Sequence, residues 1–246
     1  QIDGSELPGG APGGGWDFAF GYATLPFSLD LSLEKVEPRI TVQSRADAYL
    51  EPETLTLALA SVFTVERRGV FRLELEMPSG YEVHAVRGRQ IDGAQPVHVE
   101  SYSLQGEDES RLVVNLTRKA IGRVGLEVRV QRRLQHPELL SPTESEVTVP
   151  IGVPRVAPET REQAVGSLVV HAPESLRINP SETEGLRAVS FGEANQAPSA
   201  GGRGPGGVRP VLAFRYASQP VSLAVSAQRR KPRVTVAQVL QVKIEE

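Results

Sequence analysis

Residues Thr54 to Met77 read TLTLALASVFTVERRGVFRLELEM, and their alternation decides the fold class. Leu55, Leu57, Leu59, Phe63 and Val65 fall on one side of an extended chain, while Thr54, Thr56 and Thr64 fall on the other. After Glu66-Arg67-Arg68-Gly69 the period resumes, with Phe71, Leu73, Leu75 and Met77 alternating with Arg72, Glu74 and Glu76. Successive side chains of a strand point to opposite faces, so this is the pattern of a half-buried β-strand. The polar break ending in glycine, and Pro78-Ser79-Gly80 beyond it, are turn chemistry, and the stretch predicts a hairpin.

The same signal recurs downstream. Leu112, Val114 and Leu116, then Leu126, Val128 and Val130, predict a second strand pair across Thr117 to Gly122, with Glu127, Arg129 and Gln131 facing water. One apolar and one wet face per strand is the habit of antiparallel sheets. Pro137 and Pro142 separate these strands from a second series of short strands, Glu146 to Ile151, Ala164 to Val170, Leu176 to Ile178, Leu186 to Phe191, Val211 to Tyr216, Val221 to Ala227 and Val234 to Ile244, punctuated by Pro154, Pro158, Pro173 and Pro180. Pro158 to Ala164 is the one helix candidate, and it is too short and too poor in apolar spacing to matter. The expectation is an all-β chain of two antiparallel β-sandwich domains of the immunoglobulin-like or fibronectin-like class. Their boundaries are a Gly/Pro-rich lead-in over 1–17, repeat strands over 18–36 and a first sandwich over 37–142. A second sandwich over 143–230 with a mobile glycine-rich loop at 197–210 follows, and 231–246 starts a further module.

Composition narrows the function classes. With 246 residues, 39% of them apolar, the chain can bury a real core. It contains no cysteine, which excludes disulfides, thiolate metal sites and cysteine nucleophiles. Lys+Arg number 27 against 30 Asp+Glu, without the basic excess that a nucleic-acid binder shows. No apolar run approaches the ~20 residues that span a bilayer, so direct membrane insertion is not expected. The sequence opens at Gln1 rather than Met, from which removal of a targeting signal or a larger upstream part is expected. Absence of cysteine is compatible with export to the periplasm or cell surface.

A repeat at a constant offset of 194 is the most specific signal. Phe18 to Pro52 aligns without a gap on Leu212 to Glu246, with 13 identities in 35 pairs, among them Phe20/Phe214, Tyr22/Tyr216, Pro26/Pro220, Leu29/Leu223 and Pro38/Pro232. Unrelated segments would match at roughly two positions. Phe27/Val221, Leu31/Val225, Ile40/Val234 and Leu50/Ile244 keep an apolar side chain while changing its shape. Duplication of architecture follows, and with it the expectation that the chain is a slice of a modular array. The strands before Pro38 then close a preceding module, and their unpaired edges need partners.

Chemistry is mostly rejected. His84, His98, His136 and His171 lack metal-ligand spacing; His84 and His98 would need Glu82 or Glu100 to complete a site, and the bland reading is surface histidine. Gly106-Glu107-Asp108-Glu109-Ser110 lacks the pattern of a calcium loop and reads as a solvated hairpin tip. Serine-hydrolase, zinc-peptidase, phosphate-loop and dinucleotide fingerprints are missing. Arg229-Arg230-Lys231-Pro232-Arg233 is the basic cluster; its counterpart from Lys35 to Arg39 has mixed charge, so a solvated break is the better reading. The sequon Asn115-Leu116-Thr117 lies inside an expected strand. Tyr49, Tyr81, Tyr102 and Trp16 form a thin platform for sugar stacking, whereas Phe20/Tyr22 and Phe214/Tyr216 read as core. No catalytic, cofactor-binding or metal residue is assigned, and no cofactor is expected.

The Pro-punctuated alternating strands resemble the spacer and adhesion modules of bacterial envelope proteins. That resemblance implies a non-catalytic structural or protein-interaction module of an exported multi-domain bacterial protein, not an enzyme. A protein partner or neighbouring modules of the same chain would bind it, with carbohydrate as a further partner. The alternatives are a carbohydrate-binding accessory module and the non-catalytic β-domains of a larger enzyme, because the first half resembles the β-domains that precede some peptidase cores.

Overall fold

The computed structural model describes residues 20–32, 36–91, 98–106, 108–142, 144–157, 163–196 and 206–231. The lead-in over 1–17, the further module from 232 onward and residues 197–205 of the glycine-rich loop lie outside them. Two units divide the chain, Gln1–Lys35 and Val36–Glu246. In the first, residues 20–32 contain no strand.

The second unit is all-β, as the alternation requires. Its strands are β1 (Arg39–Leu50), β2 (Thr54–Glu76), β3 (Glu82–Arg89), β4 (Val99–Gln105), β5 (Arg111–Arg133), β6 (Val147–Ile151), β7 (Arg155–Val156), β8 (Gln163–Pro173), β9 (Leu176–Glu184), β10 (Arg187–Ala188), β11 (Val208–Tyr216) and β12 (Ser222–Arg229). A nine-stranded sheet runs β10-β11-β8-β1-β2-β5-β3, with β4 added on β5 and β7 on β2. A three-stranded sheet, β6-β12-β9, contributes Val149, Ile151, Leu176, Leu223, Val225 and Ala227 to the same core as Ile40, Leu57, Phe63 and Leu126. The two sheets therefore share one apolar interior, which is a sandwich.

Three expectations are corrected. First, β2 and β5 do not turn back at residues 66–69 and 117–122; each runs 23 residues and they pair along their length, with register shifts around Val70. Glycine and charge serve here as a bulge rather than a turn. Arg67 takes φ 65°, Gly122 takes φ 79°, and a Cβ on Gly69 would meet the Ala120 carbonyl oxygen at 2.8 Å. Second, no division falls at 142/143. Strands from both sides share the large sheet, because β8 inserts beside β1 in parallel from Thr41↔Gln163 to Tyr49↔His171. Third, β1 and β8 are the one parallel pair among the described strands.

Parallel strands are buried on both faces, and β1 shows it. Its even-numbered residues from Ile40 to Leu50 face the interior, while Arg45 and Asp47 on the other face are also buried. Arg45 reaches Asn195, which follows a segment expected to be a strand over 186–191. That segment forms only β10 before α1 (Phe191–Ala194), a single helical turn. A capping box starts the turn: the Ser190 hydroxyl accepts from the Glu193 backbone N–H at 3.3 Å, and the Glu193 carboxylate accepts from the Ser190 N–H at 3.1 Å. Val208–Pro210, expected in the mobile loop, belong to β11. The Leu25–Pro26 and Gln219–Pro220 peptide bonds are cis.

Candidate functional site

Two features stand out, a buried polar cluster and an exposed apolar row. The cluster grows from β1, where Arg45, Asp47 and Tyr49 project from one face at alternate positions. Asp47 Oδ2 accepts from Arg45 Nε at 3.0 Å, and Oδ1 accepts from Arg45 Nη2 at 2.9 Å, the forked geometry of a strong pair. The parallel neighbour β8 brings His171 beside it, with Nε2 2.9 Å from Asp47 Oδ1. Tyr49 stacks on the His171 ring at 4.7 Å. From the end of α1, Asn195 Oδ1 accepts from Arg45 Nη1 at 2.7 Å, and the Ala194 carbonyl accepts from the Ser167 hydroxyl at 3.2 Å.

Burial and charge act oppositely on Asp47. Desolvation alone would raise its pKa; hydrogen bonds from His171 and Arg45, with the Arg45 charge, outweigh it and hold the carboxyl below the usual carboxylate range. An aspartate orienting a histidine is half of a hydrolase triad. Among the described residues the other half is not assembled. Ser167, the hydroxyl in the cluster, donates to Ala194 instead, and Tyr49 lies against the face of the His171 ring. Both carboxylate oxygens are engaged, so the cluster fastens α1 to the outer face of the sheet.

On the inner face Ser44 and Ser61 share a hydrogen bond at 2.8 Å beneath Tyr216. Desolvation pushes the Tyr216 phenol up to about 12, against the lowering influence of Gln219 and Ser44. Gly166 makes the room: a Cβ there would collide with the Ser44 carbonyl and the Tyr216 hydroxyl. β11 thereby seats its tyrosine against β8.

The exposed row lies in residues 20–32. Phe20, Tyr22, Leu25, Phe27, Leu29 and Leu31 are 46–74% exposed, and Tyr22 stacks on Phe27 at 4.4 Å. Their repeat counterparts differ sharply: Phe214, Tyr216, Leu223 and Val225 are at most 5% exposed. The two blocks sit in unlike surroundings. The expectation of core packing therefore fails for Phe20 and Tyr22, while Phe214 and Tyr216 are core.

The residues considered in the sequence do not converge. His84 lies on β3 and His98 precedes β4, and these strands pair with opposite ends of β5, 125–131 and 111–116. Among the described residues no group of three metal-ligating side chains forms. Tyr49 lies against His171, Tyr81 lies under Arg132 with its hydroxyl buried, and Tyr102 is exposed on β4; Trp16 lies outside the described residues. Asp108 and Glu109 stand at the β4–β5 turn, where Glu109 N–H donates to the Gly106 carbonyl. Asn115 Nδ2 donates to Ser101 on the adjoining strand. Arg229, Arg230 and Lys231 of the basic cluster border a groove of about 570 Å³ with Arg177 and Glu144, and Lys231 pairs with Glu144 at 3.0 Å.

No family model matches the chain, and no curated protein sequence does. Among solved structures it is similar to the M1 zinc metallopeptidase from Deinococcus radiodurans, at 12% identity and TM-score 0.38, over 76% of this chain and 41% of that one. It is also similar to native yeast LTA4 hydrolase, at 9% identity and TM-score 0.44, over 77% of this chain and 29% of that one. The chain thus spans less than half the length of either.

Proposed function

We propose that the chain is a non-catalytic structural or protein-interaction module of an exported, multi-domain bacterial protein, with neighbouring modules of the same chain as its partners. The observation that carries this reading is the apolar row from Phe20 to Leu31. Six large apolar side chains within twelve residues are exposed, whereas surface apolar residues that need no explanation are scattered singly. The mechanism is mechanical. A stiff sandwich sets spacing, and an apolar segment makes the contact. The internal satisfaction of Arg45, Asp47 and Asn195 supports the same reading, since it leaves the cluster a fastening role. Export accords with the absence of cysteine.

Carbohydrate binding is the weaker alternative, because Tyr49, Tyr81 and Tyr102 have separate neighbours on separate elements. Membership of a larger enzyme, with its active centre outside these residues, keeps the same non-catalytic role. The test is to screen the 246-residue chain on a glycan array and against peptide and glycoside substrates. Neither binding nor turnover is expected. Saturable glycan binding, or turnover abolished by His171→Gln, would replace the module reading with a lectin or an enzyme.

A further inference from the structure

We infer that Phe20–Ser32 closes a β-sandwich of this same repeat that lies before it in the polypeptide, entering its two sheets where β11 and β12 enter theirs. The inference rests on the module reading and names the partner for it. The counterparts show what such a segment does when seated. β11 pairs antiparallel with β8, placing Phe214 opposite Leu168 and Tyr216 opposite Gly166. β12 then fills the gap between β6 and β9. Phe20 and Tyr22 keep the first pair of side chains, Leu29 and Leu31 keep the apolar character of Leu223 and Val225, and Ser28 and Ser32 match Ser222 and Ser226.

The seat is specific. A Cβ at Gly166 would collide with the Tyr216 hydroxyl and the Ser44 carbonyl, so this place on the sheet accepts a tyrosine only over glycine. Within Val36–Glu246 that seat is filled by β11 and β12. A second copy of the chain has its seat filled in the same way, and would have to expel two of its own strands to admit Phe20–Ser32. A preceding repeat would not. At the 194-residue offset, residues 20–22 and 28–32 stand where its own β11 and β12 carry 214–216 and 222–226. The partner is therefore a sandwich with an open strand edge like that of β8 and a glycine facing Tyr22 in one sheet, and a gap between two strands for Ser28–Ser32 in the other.

The test transplants the segment. In the full chain, residues 212–226 are replaced by the sequence of 18–32, beside a control carrying the same residues in scrambled order. Asp30 would stand where Ala224 is 7% exposed, and Leu25 would remove the Gln219 side chain that accepts from the Val156 N–H. A second transplant therefore carries Asp30→Ala and Leu25→Gln. The expected result for at least the second is a cooperative melt within about 10 °C of the parent, with the transplanted amides protected from hydrogen exchange and the scrambled control showing no cooperative transition. Both transplants behaving like the control would overturn the inference. So would a concentration-dependent dimer of the parent chain abolished by Tyr22→Asp in sedimentation, since the occupant would then be a second copy. Glycan binding or turnover leaves the strand equivalence intact and removes only the module reading, so the two failures are distinguishable.

Discussion

Asp47 is 4% exposed and carries two partners on two elements, Arg45 from its own strand and His171 from β8. Removing one member of such a group strands a buried charge, so Asp47→Ala is expected to cost about 3–5 kcal/mol in urea unfolding. The double change Arg45→Met with Asp47→Leu should recover much of that loss, because apolar side chains of similar size need no counter-charge. The acid response has a definite sign. The folded pKa of Asp47 lies below the ordinary 3.8, so its contribution is present above that value and is lost as pH falls through the folded one. The stability difference between the parent and the double variant should therefore shift against the parent as pH falls below about 4. An unchanged difference down to pH 2 would show that the cluster is not held by charge. Arg45 and Asp47 alternate with the apolar positions of their strand and read as a wet face, so their burial had no local signal. Nor did the pairing with His171, which lies 124 residues from Asp47 and is brought near only by the pairing of strands.

At the level of elements, the repeat supplies paired experiments on one side-chain type. Phe214 is 4% exposed in β11 and Phe20 is 46% exposed in the first copy. Phe214→Ala should cost about 3–5 kcal/mol, the usual loss for a buried phenylalanine. Phe20→Ala should change the stability of the 246-residue chain by less than about 0.5 kcal/mol, as exposed positions do. Urea midpoints of the two variants decide it, and equal losses would place the first copy in a core. Alternation made the strands themselves readable, since Leu55 to Val65 and Leu112 to Leu116 bury the faces that the pattern assigns. Where strands end was harder. Glu66-Arg67-Arg68-Gly69 carries the residues of a turn, yet a bulge uses the same glycine and the same polar side chains, and only the partner β5 tells them apart. Ser190-Phe191-Gly192-Glu193 held a legible capping signal inside what read as a strand.

At the scale of the whole second unit, the parallel pairing of β1 with β8 decides how many things can melt. A chain with separate sandwiches over 37–142 and 143–230 would carry two cores and two transitions. Here Ile40, Leu57 and Leu126 share one core with Leu168, Phe214 and Leu223, so the halves cannot lose their interiors independently. Alternation could not show this. It marks the buried face of each strand but not the strand beside it, and the parallel contact from Thr41↔Gln163 to Tyr49↔His171 leaves no local trace. The expected calorimetric trace for the 246-residue chain is one endotherm whose van't Hoff enthalpy equals the calorimetric enthalpy. Closing so long a loop before β1 and β8 reward each other also predicts slow refolding, on the millisecond to second scale or slower, in stopped-flow dilution from urea. Leu168→Ala provides the internal check. Being fully buried in β8, it should lower the single transition as a whole, with β2 and β5 amides losing hydrogen-exchange protection together with those of β8. Two resolved endotherms, or loss of protection confined to residues after 142, would restore the boundary between independent sandwiches and show that the shared sheet is not a cooperative one.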